Sequence, residues 1–455
     1  MKPGDRHHKL QQLLRSRPMR TAELLTQLGI SQPTFSRLWS TVMDGVVVGA
    51  GKARIYSLRR PVAGVDAPVP VFRISAAGQV EPIGELTALQ GGFYTFTSAA
   101  GGHQLFQGMP YFLQDLRPQG FLGRMEPARH ADLGLPTDIL RWTDDHILQY
   151  ITRRSEHAPG DLMIGDESYA RYLADPGTTR GALIADPDRE TRYPRMANEA
   201  MQGDPPGSSA GGEQPKFTAV IERAGSAAPG PGVDTSIEHV IVKFSPPTDS
   251  ASGRRWGDLL VCEHLALRML AAHGVRAART AIIEAGGRVF LEVVRFDRVG
   301  LAGRLPMATL SAFDGDLGML DQSWSVVARE LHRRGDLAAK DVETVEILDL
   351  YGNLIGNTDK HHGNIALSWH FGEPHTLLDA YDMLPMLYRP NTHGEIVARA
   401  WTPQLGPNLA LKHLSRCVPM ALQFWQTVID DRRISPVFKD QVAAPHAQAL
   451  QGLAA

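Results

Sequence analysis

The chain opens with apolar residues at helical spacing. Leu10, Leu13 and Leu14 share one face of a first helix, and after Pro18 the residues Leu24, Leu25 and Leu28 mark a second, short helix from Thr21 to Leu28. Gly29 suits the left-handed conformation that ends a helix, and Ser31 suits capping of the next one. In that next helix Phe35, Leu38, Trp39 and Val42 fall at i, i+3, i+4 and i+7. Two short helices around a tight turn predict a helix-turn-helix. Residues 46–58 then place two apolar runs around Gly49 and Gly51, which predicts two strands joined by a turn bearing Lys52 and Arg54, the shape of a wing. Residues 61–70, rich in Pro, Ala and Gly, read as a linker.

Farther on, residues 71–126 predict short strands and Gly-rich turns, and residues 136–154 a helix with Ile139, Leu140, Ile147 and Ile151 as apolar positions. A Pro/Gly/Ser-rich stretch at 203–212 leads into two strands, 216–223 and 239–244, expected to pair as a hairpin with a long loop. A helix follows around 258–273, with Val261, Leu265, Met269 and Ala272 on one face, and then strands at 280–284 and 289–294. Beyond residue 315 the pattern is mostly helical, with Ile347, Tyr351, Leu354 and Ile355 as one clear face. A strand-rich half before a helix-rich half predicts an α+β fold. The expected division is a winged helix-turn-helix at 1–60, a linker at 61–70, a strand-rich lobe at 71–245 and a mostly helical lobe at 246–455.

A length of 455 residues supports several domains, and 43% apolar with 21% charged residues excludes a disordered, coiled-coil or collagen-like chain. The net charge of −2 conceals a polarity. Residues 1–60 hold 11 Lys and Arg against 3 Asp and Glu, a net of +8, so the remainder carries −10. A basic end on an acidic body points to DNA as a partner of the N-terminal module. The helix beginning after Ser31 would enter the major groove with Gln32, Thr34, Ser36 and Arg37, while Lys52 and Arg54 grip the backbone. One copy binds weakly, so a homodimer on paired half-sites is expected. The two cysteines, Cys262 and Cys417, form neither a disulfide framework nor a zinc spacing. With no signal-peptide pattern and no run of about 20 apolar residues, a cytoplasmic protein without a membrane partner is expected.

The most informative run for chemistry is Asn357-Thr358-Asp359-Lys360-His361-His362-Gly363-Asn364. Its Asp-x-x-x-x-Asn core has the spacing with which a kinase lets one carboxylate accept the nucleophile's proton while an amide five residues on holds a magnesium ion on ATP. Eighteen residues later an apolar strand leads to Tyr381-Asp382, a second hard oxygen ligand for Mg2+. Upstream, Lys243 closes an alternating strand and Glu263 sits on the following helix, positioned to pair with it. Earlier still, Ser208-Ser209-Ala210-Gly211-Gly212-Glu213-Gln214-Pro215-Lys216 offers backbone N–H groups and a lysine to phosphate, without the Gly-Lys-Ser/Thr ending of a P-loop. The adjacent His361 and His362 suit a metal site poorly. Each piece alone is ordinary; their shared order is the signal.

In these motifs, together with Val294-Arg295-Phe296-Asp297-Arg298, the sequence resembles the HipA family of bacterial serine/threonine protein kinases, the toxins of type II toxin–antitoxin systems. More narrowly it resembles the branch in which a helix-turn-helix precedes the kinase. The resemblance spans roughly residues 70–430. It implies a two-lobed protein-kinase-like fold, ATP with Mg2+, and a protein substrate phosphorylated on a Ser or Thr hydroxyl. On this resemblance Asp359 is the catalytic base, Asn364 and Asp382 are the metal ligands, and Lys243 contacts the ATP phosphates. Ser209, with Ser208 beside it, matches the Gly-rich-loop serine whose autophosphorylation inactivates the family's kinases. Arg295 to Arg298 is expected to be structural and on a strand. The founding toxin leaves DNA binding to a separate antitoxin, whereas here the module is fused, so an antitoxin in trans stays open as a partner. A small-molecule kinase of the aminoglycoside-phosphotransferase type, and an ATP-sensing transcription regulator without catalysis, are the competing readings.

Overall fold

The structure, a computed structural model, describes residues 3–175, 183–202, 214–223, 236–370, 372–403, 405–406 and 410–454. The chain divides into two compact units, one of Met1–Ser75, Gln79–Arg117 and Asp132–Pro176, the other of Ala76–Gly78, Pro118–Ala131 and Gly177–Ala455.

In the first unit the apolar spacing near the N-terminus produces helices Pro3–Ser16, Thr21–Leu28 and Gln32–Trp39, whose Leu10, Leu14, Leu24, Leu28 and Phe35 meet Tyr56 in one core. Gly29 adopts φ 63° and closes the second helix. Ser31 stands at the start of the third, but its hydroxyl pairs with that of Thr34 at 3.0 Å rather than with a helix N–H. That helix stops at Trp39, so Val42 reaches the core from beyond it. Strands Gly45–Val48 and Ile55–Leu58 form a hairpin, and Met19–Arg20 joins its outer side.

The same unit contains an antiparallel five-stranded sheet in the order His103–Gln107, Phe93–Ser98, Val80–Leu89, Val69–Ile74, Leu162–Ile164. The N-terminal helices are built onto this sheet. Arg60 N donates to Ala88 O at 2.9 Å, Val62 is buried, and a side chain at Gly91, whose φ is 75°, would collide with the Ser16 carbonyl. The expected helix over 136–154 is split: the Thr143–His146 capping box starts Asp144–Arg154, and Ile139–Arg141 is a separate short turn capped by Asp138, which leaves Leu140 90% exposed.

The second unit has a sheet in the order Thr280–Ala285, Arg288–Val294, Ile237–Phe244, Lys216–Glu222, Ile184–Ala185, antiparallel except for the last pair. Alternation along the central strand sends Val240, Val242 and Phe244 into a core with Phe217, Tyr193 and Phe290. The helix predicted around 258–273 runs over Ala251–Ala272, because the Ser250 hydroxyl accepts the Gly253 N–H at 3.0 Å and begins it earlier. It is buried around most of its circumference rather than on one face, packing on the sheet and on helix Leu414–Asp430. Helices Trp324–Arg334, Ala339–Ile355 and Ala444–Ala454 complete this α+β unit. Among the described residues no helix is long and apolar enough to cross a membrane.

Candidate functional site

Lys243 lies one residue before the end of the central strand, and Glu263 faces it from the helix behind. The ammonium donates to both Glu263 carboxylate oxygens, at 2.6 and 2.8 Å, and also contacts Asp382 Oδ1. Glu263 is wholly buried and Lys243 is 5% exposed, whereas the Asp382 side chain keeps 31% of its surface open. Burial alone would raise the Asp382 carboxyl, but the Lys243 and Lys216 charges outweigh it and hold the group below its ordinary value; His361 adds to that effect. Burial raises Glu263, with Lys243 opposing. For Lys243 burial favours the neutral amine, and the two carboxylates overcome it and keep the ammonium charged. Lys216 stands directly across the strand pair from Lys243, and its charge also acts on Glu263 and Asp382.

Gly356, at φ 84°, ends helix Ala339–Ile355 and turns the chain into the loop bearing Asp359. Asn357, 2% exposed, accepts the Asp359 N–H at 3.0 Å. Asn364 donates its amide to the Asp359 carbonyl at 2.8 Å, which leaves its own carbonyl oxygen as an acceptor. Asp359 itself is exposed. Two further contacts tie this loop to the Asp382 segment: Tyr381 OH donates to Gly363 O at 2.6 Å, and Asn357 Nδ2 reaches Asp382 O at 3.4 Å. Asp382 is the one non-glycine with positive φ (52°) among the described residues, a conformation that costs energy and aims its carboxylate at Lys243. It follows a short strand, Thr376–Leu377, but lies outside it.

His361 Nδ1 accepts the Gly363 N–H, and His362 Nε2 faces the Gln322 carbonyl at 2.9 Å, so the two rings serve the loop separately. Arg295 and Asp297, expected on a strand, lie just past its end at Val294: the turn folds back so that Arg295 and Arg298 both bind the Asp297 carboxylate. Phe296 packs on Tyr381 with ring centroids 5.6 Å apart. A cleft of about 280 Å3 here is lined by His239, Val294, Arg295, Phe296 and Asp379. Burial, with Arg295 and Arg298, lowers His239 to about 4, so that ring is neutral.

The structure thus gathers Lys216, Lys243, Glu263 and Asp382 and links Asp382 to the loop of Asp359 and Asn364. Ser208, Ser209, Gly211 and Gly212 lie outside the described residues. In the first unit Gln32, Ser36, Arg37, Lys52 and Arg54 are exposed, and Thr34 is half-buried with its hydroxyl on Ser31. Asn357, Lys360 and Tyr381 lie inside the quoted motifs without an assigned role, and Asp349, the partner of Lys360, carries no motif signal.

A charged lysine between two carboxylates, beside an Asp-x-x-x-x-Asn loop, is a kinase-like arrangement. Residues 208–443 match the HipA-like C-terminal domain, and residues 65–173 match the middle domain of YjjJ-like toxins. The chain belongs to the HipA family. It is 36% identical over 437 residues to Toxin YjjJ of Escherichia coli (strain K12), covering 95% of each chain. Among solved structures, HipA of Shewanella oneidensis MR-1, determined with HipB and operator DNA, is similar at 14% identity and a TM-score of 0.48, over 84% of this chain and 96% of that one. The Helicobacter pylori proinflammatory kinase CtkA is similar at 12% identity and a TM-score of 0.32, over 50% of this chain and 94% of that one.

Proposed function

We propose that the chain is an ATP- and magnesium-dependent protein kinase of toxin type that phosphorylates Ser or Thr hydroxyls, with an N-terminal winged helix-turn-helix that binds DNA. The observation that carries the kinase reading is the Lys243–Glu263–Asp382 cluster tied to the Asp359–Asn364 loop. Lys243 and Lys216 bind the nucleotide phosphates. Phe296 and its cleft take the base; His239, which lines the cleft, stands four residues before Lys243 on the central strand, roughly 13 Å at about 3.3 Å per residue. Asp359 orients the acceptor hydroxyl and takes its proton.

The donor set fits magnesium: the ionised Asp382 carboxylate and the Asn364 carbonyl oxygen, left as an acceptor by its amide's bond to Asp359 O, are hard oxygen ligands. When bound, the ion neutralises charge on the transferring phosphoryl group. Phosphate on Ser209 or Ser208 would bring about two negative charges to the phosphate site and compete with ATP, which makes autophosphorylation inhibitory.

The DNA reading rests on the exposed Gln32, Ser36 and Arg37 of one helix and on Lys52 and Arg54 in the adjoining hairpin turn, within a segment of net +8. A homodimer on DNA and an antitoxin in trans belong to the same proposal. Incubation with radiolabelled ATP, magnesium and a cell extract tests the enzyme: label on protein supports the reading, and label confined to small molecules contradicts it.

A further inference from the structure

Lys360 directly follows Asp359, yet its side chain turns away from the exposed carboxylate and into the body of the unit. Its ammonium donates to Asp349 Oδ1 at 2.7 Å and to the Asp349 carbonyl at 2.9 Å. Asp349 is 1% exposed, and its other carboxylate oxygen accepts from Ser325 Oγ at 2.6 Å and from Ser325 N at 3.2 Å. The ammonium also lies 5.7 Å from the centre of the Trp324 ring, and the Trp324 indole N–H donates to the His361 carbonyl at 3.0 Å. The two residues after Asp359 are therefore held by two different helices, Trp324–Arg334 and Ala339–Ile355.

Gly352 makes the passage for this side chain. It sits inside helix Ala339–Ile355 about one turn beyond Asp349, where glycine is an unfavourable choice. A Cβ there would come 2.9 Å from Lys360 Cδ, 3.4 Å from Met383 Sδ and 3.8 Å from Asn357 Cβ. The glycine thus stands where the lysine stem, the segment after Asp382 and the start of the loop converge. A buried ion pair contributes little net stability, because desolvation of both charges offsets their attraction. Its value here is geometric: with Asn357 holding the Asp359 N–H, it fixes the backbone on both sides of that carboxylate.

We infer that Lys360, locked to Asp349 through the gap left by Gly352, is a positioning residue for Asp359. This rests on the kinase reading of Asp359. The full-length chain is compared with Lys360→Met, with Lys360→Met/Asp349→Asn and with Gly352→Ala, measuring kcat, KM for ATP, thermal midpoint and amide hydrogen exchange over residues 357–364. Lys360→Met lowers kcat by at least about tenfold, since a small misplacement of a catalytic group is costly, while KM for ATP changes less than about twofold. The double variant removes the stranded Asp349 charge, so its thermal midpoint recovers while kcat stays low. Gly352→Ala keeps every polar group and lowers kcat in the same way.

Recovery of kcat together with the midpoint in the double variant, or wild-type kcat in Gly352→Ala, overturns the positioning role. A wild-type chain that transfers no phosphate overturns the kinase reading instead. The lock is then judged by exchange alone: faster exchange at residues 358–361 in Lys360→Met supports it, and unchanged exchange removes it.

Discussion

Lys243 and Glu263 form a two-point contact, at 2.6 and 2.8 Å, between the central strand of the sheet and a helix that is buried around most of its surface. Twenty residues separate them, and the ammonium reaches on to Asp382, 139 residues away in sequence. One cation thereby ties strand, helix and the Asp382 segment together.

Removing that cation should leave the buried Glu263 carboxylate near Asp382 without its paired counter-charge. Lys243→Met is expected to cost about 3–5 kcal/mol at pH 7. In the variant Glu263 rises further above its unfolded value, so stability is present at low pH and lost as pH rises through the folded pKa; the cost is smaller at pH 5. Urea unfolding at the two pH values checks this, and an equal cost at both would show that no carboxylate is stranded.

His446 links four elements. It accepts from Tyr388 OH at 2.7 Å, bonds the Leu354 carbonyl at 2.8 Å, and packs against Trp401 and Trp425 with ring centroids 4.4 and 4.3 Å away. Burial pushes it down to about 4, against the pull of the Leu354 carbonyl. Its folded value is depressed, so its contribution is complete above the unfolded value of about 6.5 and is lost as pH falls toward 4. Over that window it amounts to about 3 kcal/mol. His446→Gln should flatten the pH dependence of urea stability between pH 6.5 and 4 by about one proton's worth, about 1.4 kcal/mol per pH unit. An unchanged slope would place the titration elsewhere.

Arg37, on helix Gln32–Trp39, and Lys52, between strands Gly45–Val48 and Ile55–Leu58, are both exposed. If they meet DNA phosphates, Arg37→Ala and Lys52→Ala should each weaken binding and reduce the dependence of log K on log salt by about one. Gel-shift titrations across a salt series measure this. Slopes identical to wild type would remove both residues from the contact surface.

Much of this was legible because local rules suffice. Helix Thr21–Leu28 follows from three leucines and the Gly29 stop, and the Lys243 strand from an alternation broken at Ile241. Asp359, Asn364 and Asp382 stand out through the shared order of their motifs, and their roles rest on the family resemblance. The failures have two causes, local capping and tertiary contact. Leu140 fits a helical period, but caps at Asp138 and Thr143 break that helix in two. The helix bearing Glu263 shows no single apolar stripe because it is covered on nearly every side. Lys360 and Asp349 are eleven positions apart across a helix end, and only the folded path over Gly352 brings them together.

In the proposed function Asp359 is the base of a phosphotransferase. Asp359 is exposed and takes part in the fold through its backbone N–H and carbonyl, so Asp359→Asn should leave the thermal midpoint unchanged. Purified wild-type and Asp359→Asn chains incubated with magnesium and ATP can be compared by phosphopeptide mass spectrometry. The account predicts phosphate on Ser209 or Ser208 in the wild type, with a rate lower by about 10²–10⁴-fold in the variant. Equal incorporation in the two chains, or none in the wild type, would contradict it.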